Sequence, residues 1–151
     1  MQYAESAKDN DPASASLRGN LGVMYYRNSY WTEAITELGY VVNGGVTPEG
    51  NKIEAINLVP NDSRTAEYYA TYGLALSRLN ECGKALQVAR TILERIPADE
   101  LSVENANAII SRCQQNLDAT PNPLPTPLGT NSPTEAVPAS TETPIPPTPT
   151  P

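Results

Sequence analysis

The sequence contains no histidine. This absence excludes a Ser-His-Asp triad, a Cys-His nucleophile pair and every metal site that histidine ligates. No glycine-rich phosphate-binding loop is present either. We therefore predict that the chain is not an enzyme and uses no cofactor or metal ion.

Positive charge is also scarce. Ten Lys and Arg residues stand against 17 Asp and Glu residues, so the formal net charge is −7. Nucleic acids and anionic membranes attract clustered basic residues, and we expect neither as a partner. No apolar run reaches the length of a membrane span, and no signal-peptide pattern precedes the first helix. The sequence predicts a soluble domain without its own export signal or membrane anchor.

Helical periodicity is the main pattern that the sequence does contain. Residues 66–97 hold two amphipathic stretches, which a break at residues 80–83 separates and Pro97 ends. Gly73 and Ala85 are small residues at the places where two helices of a tight hairpin would approach most closely. We predict a helical hairpin that stacks against others.

The hairpin pattern recurs at a fixed interval. Gly22 precedes Ala34 by 12 residues, as Gly73 precedes Ala85, and the two pairs are 51 residues apart. That interval equals one 34-residue repeat plus an insertion of about 17 residues. Pro12 ends an N-terminal fragment in the same register. The chain thus begins inside a hairpin, and we expect it to be a piece of a longer protein.

These residues resemble the tetratricopeptide repeat (TPR) family, whose repeat reads W-x2-L-G-x2-Y, then A-x3-F, then P. The first hairpin supplies Leu21, Gly22, Tyr25 and Ala34, with Leu38 at the aromatic position. The resemblance implies an all-α fold whose helical hairpins stack in a right-handed superhelix. It also implies a non-catalytic scaffold that binds proteins or peptides in the concave groove of the repeats.

Three positions depart from the family pattern. Tyr69 replaces the tryptophan of the second repeat, Arg18 replaces that of the first, and Val46 stands where the first repeat would carry its proline. The resemblance nevertheless covers residues 1–117. It predicts a TPR domain with the end of a truncated repeat at 1–14, a repeat at 15–48, an insertion at 49–65, a repeat at 66–99 and a capping helix at 100–117, followed by a disordered Pro/Thr-rich tail at 118–151.

The insertion carries turn residues at positions 48–51 between two short stretches of strand-forming residues. We expect a β-hairpin or an ordered loop there, before Asp62 or Ser63 caps the next helix. An isolated hairpin is marginal in water, so its apolar residues should pack on the helices. The alternative is an insertion that closes one end of a binding groove. The residues expected to pack are Ile53, Ile56 and Leu58.

Three arginines occupy one position of the predicted repeats. Arg27, Arg78 and Arg112 are separated by 51 and 34 residues, so stacking would set them in a row. The resemblance places this row in the concave groove, where it would grip an extended acidic or C-terminal peptide. Alternatively, each arginine complements the dipole of its own helix end, which stabilises by about 0.3–1 kcal/mol. The apolar groove residues between the charges would be Val23, Tyr26, Leu74 and Ala108.

The two cysteines are too few for a zinc site. In the packing of the TPR family, Cys82 and Cys113 would lie on neighbouring helices, which allows a disulfide. Its loop of roughly thirty residues would stabilise the fold by about 3–4 kcal/mol, and the bond would indicate an oxidising compartment. Alternatively, Cys113 is a small apolar core residue.

The tail has no Lys, Arg or aromatic residue and many prolines. Proline removes backbone donors and fixes φ, which favours extended polyproline II. The tail is either a disordered spacer or a Thr-rich, O-glycosylated stalk. The second interpretation gives an alternative function, a structural or spacer module of a cell-envelope or surface protein. The compartment stays open, with an extracytoplasmic or cell-surface location favoured over the cytoplasm.

Overall fold

The computed structural model describes residues 2–119. This part of the chain is mostly helical, with one small antiparallel sheet between the third and fourth helices. The remaining positions of the predicted tail lie outside the described residues. In chain order the elements are α1 (Gln2–Asn10), α2 (Ala15–Arg27), α3 (Trp31–Asn43), β1 (Gly45–Val46), β2 (Lys52–Ile53), α4 (Ser63–Arg78), α5 (Cys82–Arg95) and α6 (Glu100–Ala119).

Three helices begin at side-chain caps. Ser14 accepts a hydrogen bond from the Leu17 amide at 3.4 Å, and Asp62 accepts one from the Thr65 amide at 3.0 Å. Before α6, the Asp99 carboxylate accepts from the Ser102 amide at 2.8 Å. Such caps satisfy amides that have no partner inside the helix. The predicted start of α4 at Asp62 or Ser63 is confirmed.

The helices pack in sequential pairs, α2 against α3 and α4 against α5, and α4 also contacts α2, α3 and α6. A Cβ added to Gly22 would lie 2.5 Å from Leu38 Cγ, and one added to Gly73 would lie 3.2 Å from Val88 Cγ1. Ala34 is completely buried, as is the corresponding alanine of the second pair. Small residues therefore permit the close approach in both pairs, as the sequence predicted.

The segment between α3 and α4 packs on the helices as expected. Its two strands pair Gly45 with Ile53, which is buried together with Leu58. The backbone of Ile56 donates to the Val41 carbonyl at 2.8 Å and accepts from the Tyr69 hydroxyl at 3.0 Å. Because α3 ends at residue 43 and β1 begins at residue 45, the predicted boundary at residue 48 falls inside this hairpin.

The last helix extends beyond its predicted end. α6 runs through Asp118 to Ala119, so the predicted boundary at residue 117 is two residues early. The predominantly helical fold is as predicted, whereas the repeat and the superhelix stay predictions. Within residues 2–119, no helix has both the length and the apolar character that a membrane span requires.

Arg18 is a buried charge in the first helical pair. Its guanidinium donates to the Glu37 carboxylate at 2.6 Å and to the Pro12 carbonyl at 2.8 and 3.0 Å. The same group lies 5.2 Å from the centre of the Tyr40 ring. Arg18, which replaces the tryptophan of the TPR pattern, is thus a flat cation held by three hydrogen bonds.

Candidate functional site

An open groove of about 550 Å³ is lined together by α2, α4 and α6. On α4, its lining residues recur every three or four positions from Ser63 to Leu74, so one face of that helix forms the base. Residues of α2 border one side, and the start of α6 borders the other. We call this hollow the α2–α4–α6 groove.

The floor of the groove is apolar. Val23, Ala66 and Ala70 are each more than nine-tenths buried, and Leu74 is half-buried. At the mouth, the side chain of Leu101 is 68% exposed. A large leucine in water at the edge of an apolar floor can contact a bound chain without moving the helices.

Polar side chains stand along the rim. The Arg27 guanidinium donates to the Glu67 carboxylate at 2.8 Å, and these side chains are 69% and 40% exposed. Arg64 donates to the amide oxygen of Asn20 at 2.7 Å. Ion pairs this exposed contribute about 0–1 kcal/mol, so a ligand carboxylate could replace Glu67 at little cost.

The predicted site residues divide into two sets. Val23, Tyr26, Arg27 and Leu74 line the groove together. Its lining does not include the other three. The Arg78 guanidinium lies over the Trp31 ring, 5.1 Å from the centre of the ring. On α6, Ala108 is exposed and Arg112 is half-buried.

Within the predicted arginine row, Arg27 has an ion-pair partner. Its own helix carries no Asp or Glu, but Glu67 of α4 supplies a carboxylate from 40 residues away. Within residues 2–119, neither Arg78 nor Arg112 forms an ion pair.

Sequence reasoning missed several polar lining residues. Glu67 precedes Leu74 by seven residues, so two helical turns place both on one face. That spacing could have identified Glu67. Nothing in the sequence pattern distinguishes Arg64, Ser102 or Asn105, because their place in the groove depends on how α4 and α6 pack.

A disulfide joins the helix that forms one wall of the groove to its neighbour. Cys82, the first residue of α5, is bonded to the fully buried Cys113 of α6, with 5.4 Å between their Cα atoms. Close by, the Asn116 amide donates to the Ser77 carbonyl at 3.1 Å. The wall that α6 provides is therefore covalently fixed to α5.

The groove can bind a chain segment through apolar contact at its floor and hydrogen bonds at its rim. Within residues 2–119, no group of three or more His, Cys, Asp or Glu side chains is arranged to hold a metal ion. No protein-family model, no curated protein and no solved structure matches the chain.

Proposed function

We propose that the chain is a TPR-type helical stack that binds a protein or peptide, without catalysis, in the α2–α4–α6 groove. The observation that carries the proposal is the groove itself. It crosses the first helix of each pair and the following helix α6, and it combines an apolar floor with charges that are only weakly paired. Such a surface suits a chain segment better than a compact small molecule, because the groove is long and open.

The direction of the helices supports the stacked arrangement. Ser63 at the start of α4 and Ser102 near the start of α6 line the same groove. At the other end of the two helices, Asn116 of α6 contacts the backbone of Ser77 of α4. The two helices therefore run the same way, as first helices of consecutive repeats do in a TPR stack.

The ligand that the rim suits is an extended peptide carrying acidic side chains. Arg27 and Arg64 are both exposed and both line the groove. A ligand carboxylate can displace Glu67 from Arg27 and form a charge-assisted hydrogen bond with that guanidinium. We expect binding to weaken as salt concentration rises, because these charges lie in water.

Two leucines of α6 give a matched test. Leu101 is 68% exposed and lines the groove, whereas Leu117 is 67% exposed and does not. Peptides are first selected on the intact, oxidised chain from a display library of random linear sequences. Their dissociation constants are then measured by fluorescence anisotropy for the wild type, Leu101→Glu and Leu117→Glu.

We expect Leu101→Glu to raise the dissociation constant tenfold or more, which corresponds to about 1.4 kcal/mol. Leu117→Glu should leave the dissociation constant within about twofold of the wild-type value. Circular dichroism and the melting temperature should stay those of the wild type, because both side chains are exposed. Equal effects of the two substitutions, or failure to enrich any peptide, would contradict a binding role for the groove.

A structural or spacer module of the cell envelope is the second candidate function. The disulfide between Cys82 and Cys113 favours it, because such bonds persist in oxidising compartments outside the cytosol. The Pro/Thr-rich sequence at 118–151 is also typical of glycosylated stalks. Intact-mass measurement of the native protein would show glycan additions on this segment. A mass equal to that of the unmodified chain would argue against a glycosylated stalk.

A further inference from the structure

Four of the nine aromatic residues of the chain fall between positions 25 and 31. Two of them, Tyr26 and Trp31, pack together beside the end of α4. The rings of Tyr26 and Trp31 meet edge to face at 5.0 Å, and the Arg78 guanidinium covers the Trp31 ring at 5.1 Å. Tyr30 and Leu79, which adjoin Trp31 and Arg78 in the sequence, are 48% and 41% exposed. We call these five residues the aromatic patch.

Contacts within the fold leave part of the aromatic patch in water, because the Tyr30 ring meets the Tyr25 ring edge to face at 6.3 Å and is still 48% exposed. Tyr30 is an exposed residue at the N-terminal cap position of α3, where its side chain makes no capping hydrogen bond. Arg78 is exposed and forms no ion pair in the part of the chain that the structure describes. Rings that face water beside an available guanidinium are typical of surfaces that bind another chain.

We propose that the aromatic patch binds the Pro/Thr-rich segment, residues 120–151, of a second copy of this chain. Proline fixes φ near the polyproline II value, and a preformed polyproline II helix docks on aromatic side chains with little loss of conformational entropy. The segment contains 11 prolines, including the run PNPLPTPL at 121–128. It therefore has the composition that such a surface recognises.

Charge complementarity supports this occupant. The segment carries Glu135 and Glu142 and has no Lys or Arg. Arg78 offers the complementary charge at the edge of the patch. Every copy of the chain brings both the patch and the segment, so association needs no other partner. Tyr26 also lines the α2–α4–α6 groove, whereas Trp31 and Arg78 do not, so the inference goes beyond the function proposed for the groove.

Trp31 makes the proposal testable, because it is the only tryptophan of the chain and lies within the patch. The full-length, oxidised protein is studied over a range of concentrations by tryptophan fluorescence and light scattering. We expect the Trp31 emission to shift to shorter wavelength as the weight-average mass rises above that of the monomer. A synthetic peptide of residues 120–151, added in excess, should return the mass to the monomer while keeping the emission shift.

Arg78→Glu and Arg90→Glu provide a matched pair, since both arginines are exposed and only Arg78 covers Trp31. Arg78→Glu should raise the peptide concentration that gives half of the maximal Trp31 emission shift tenfold or more. Arg90→Glu should change that concentration less than twofold. Replacing Pro123, Pro125 and Pro127 by alanine in the peptide should weaken binding similarly. Melting curves verify that each variant is folded.

Three results would overturn the proposal. The first is a monomeric mass and an unchanged Trp31 emission at every concentration, with no response to the peptide. The second is a Trp31 emission that responds to replacement of the prolines in the full chain but does not depend on protein concentration. Binding between two copies must depend on concentration, so this result would exclude a second copy as the occupant. The third is peptide binding that survives Arg78→Glu but is lost in Leu101→Glu, which would assign the peptide to the groove.

Discussion

At the scale of single residues, two glycines on helices differ in what faces them. Gly22 faces the branched Cγ of Leu38, whereas nothing lies within 4 Å of a Cβ built on Gly83 near the start of α5. We expect Gly22→Ala to lower the free energy of unfolding by about 1–3 kcal/mol, because Leu38 and its helix must move. Gly83→Ala should raise it by about 0.5–1 kcal/mol. Urea titrations measure the free energy of unfolding of both variants. Equal values for Gly22→Ala and Gly83→Ala would contradict the tight α2–α3 contact.

The buried Arg18–Glu37 pair gives a second prediction at this scale. The two side chains are only 5% and 12% exposed. Arg18→Met leaves the Glu37 carboxylate buried without its partner, and we expect a loss of about 3–5 kcal/mol. The double variant Arg18→Met with Glu37→Leu should recover at least half of that loss, since no buried charge then remains. If the double variant is as unstable as the single one, the penalty comes from the lost packing on Tyr40 and the lost hydrogen bonds to the Pro12 carbonyl.

At the scale of helices, the cap of α4 predicts a dependence of stability on pH. Hydrogen bonds from the Thr65 hydroxyl and amide lower the pKa of Asp62 below its ordinary value of 3.8. The cap therefore stabilises the fold above that ordinary value and loses its effect as the pH falls through the lowered pKa.

Replacement of Asp62 tests this pH dependence. We expect Asp62→Ala to be less stable than the wild type at neutral pH, with the difference disappearing in acid. Asp62→Asn, which can still cap but cannot titrate, should stay close to the wild type at neutral pH. The measurement is a series of urea titrations from neutral to strongly acidic pH. A constant difference between wild type and Asp62→Ala across this range would exclude the carboxylate as the cause.

The disulfide predicts how strongly α6 depends on a covalent link. Cys82 and Cys113 are 31 residues apart in sequence, and their bond limits the freedom of the unfolded chain. The double variant Cys82→Ser with Cys113→Ala should be about 2–4 kcal/mol less stable than the oxidised wild type. A thiol reductant should lower the unfolding midpoint of the wild type and leave that of the variant unchanged. If the reductant affects both equally, it acts elsewhere.

At the scale of the whole molecule, the predictions from sequence held where the determinants are local. A cap such as Asp62 acts within a few residues, and helical periodicity is recognised over a few turns of one segment. The groove depends on contacts between distant segments. The partner of Arg27 lies 40 residues away on α4, and Arg78 covers the distant Trp31 ring. No spacing rule connects these pairs, so the sequence predicted the residues on each helix but not which of them meet.

The ends of α3 and α6 have different physical causes. Gly44 and Gly45 have positive φ, end α3 at Asn43 and start the β-hairpin, so the repeat boundary predicted at residue 48 lies in the turn of that hairpin. At the end of α6, the polar Asp118 does not extend the apolar periodicity of the helix, yet the helix continues to Ala119. Helix ends are the least constrained part of any such prediction, because one or two polar residues carry little packing information.

The position of α4 predicts a gradient of stability through the domain. α4 contacts four other helices, whereas α1 contacts α2 and has no buried residue. One contact between α1 and α2 is a hydrogen bond that the Tyr25 hydroxyl of α2 donates to the Glu5 carboxylate of α1 at 3.0 Å. Burial, followed by this hydrogen bond, raises the pKa of Tyr25 to about 12, so the phenol keeps its proton at neutral pH.

Hydrogen exchange followed by mass spectrometry measures this gradient. We expect the amides of α1 to exchange first and those of α4 last, because local opening of α1 exposes little apolar surface while opening of α4 disrupts most of the core. Tyr25→Phe should speed exchange in α1 and leave the rates in α4 unchanged, since the lost hydrogen bond connects only α1 to α2. If α1 and α4 exchange at one common rate, the domain opens only as a whole, and the central role of α4 in its stability is wrong.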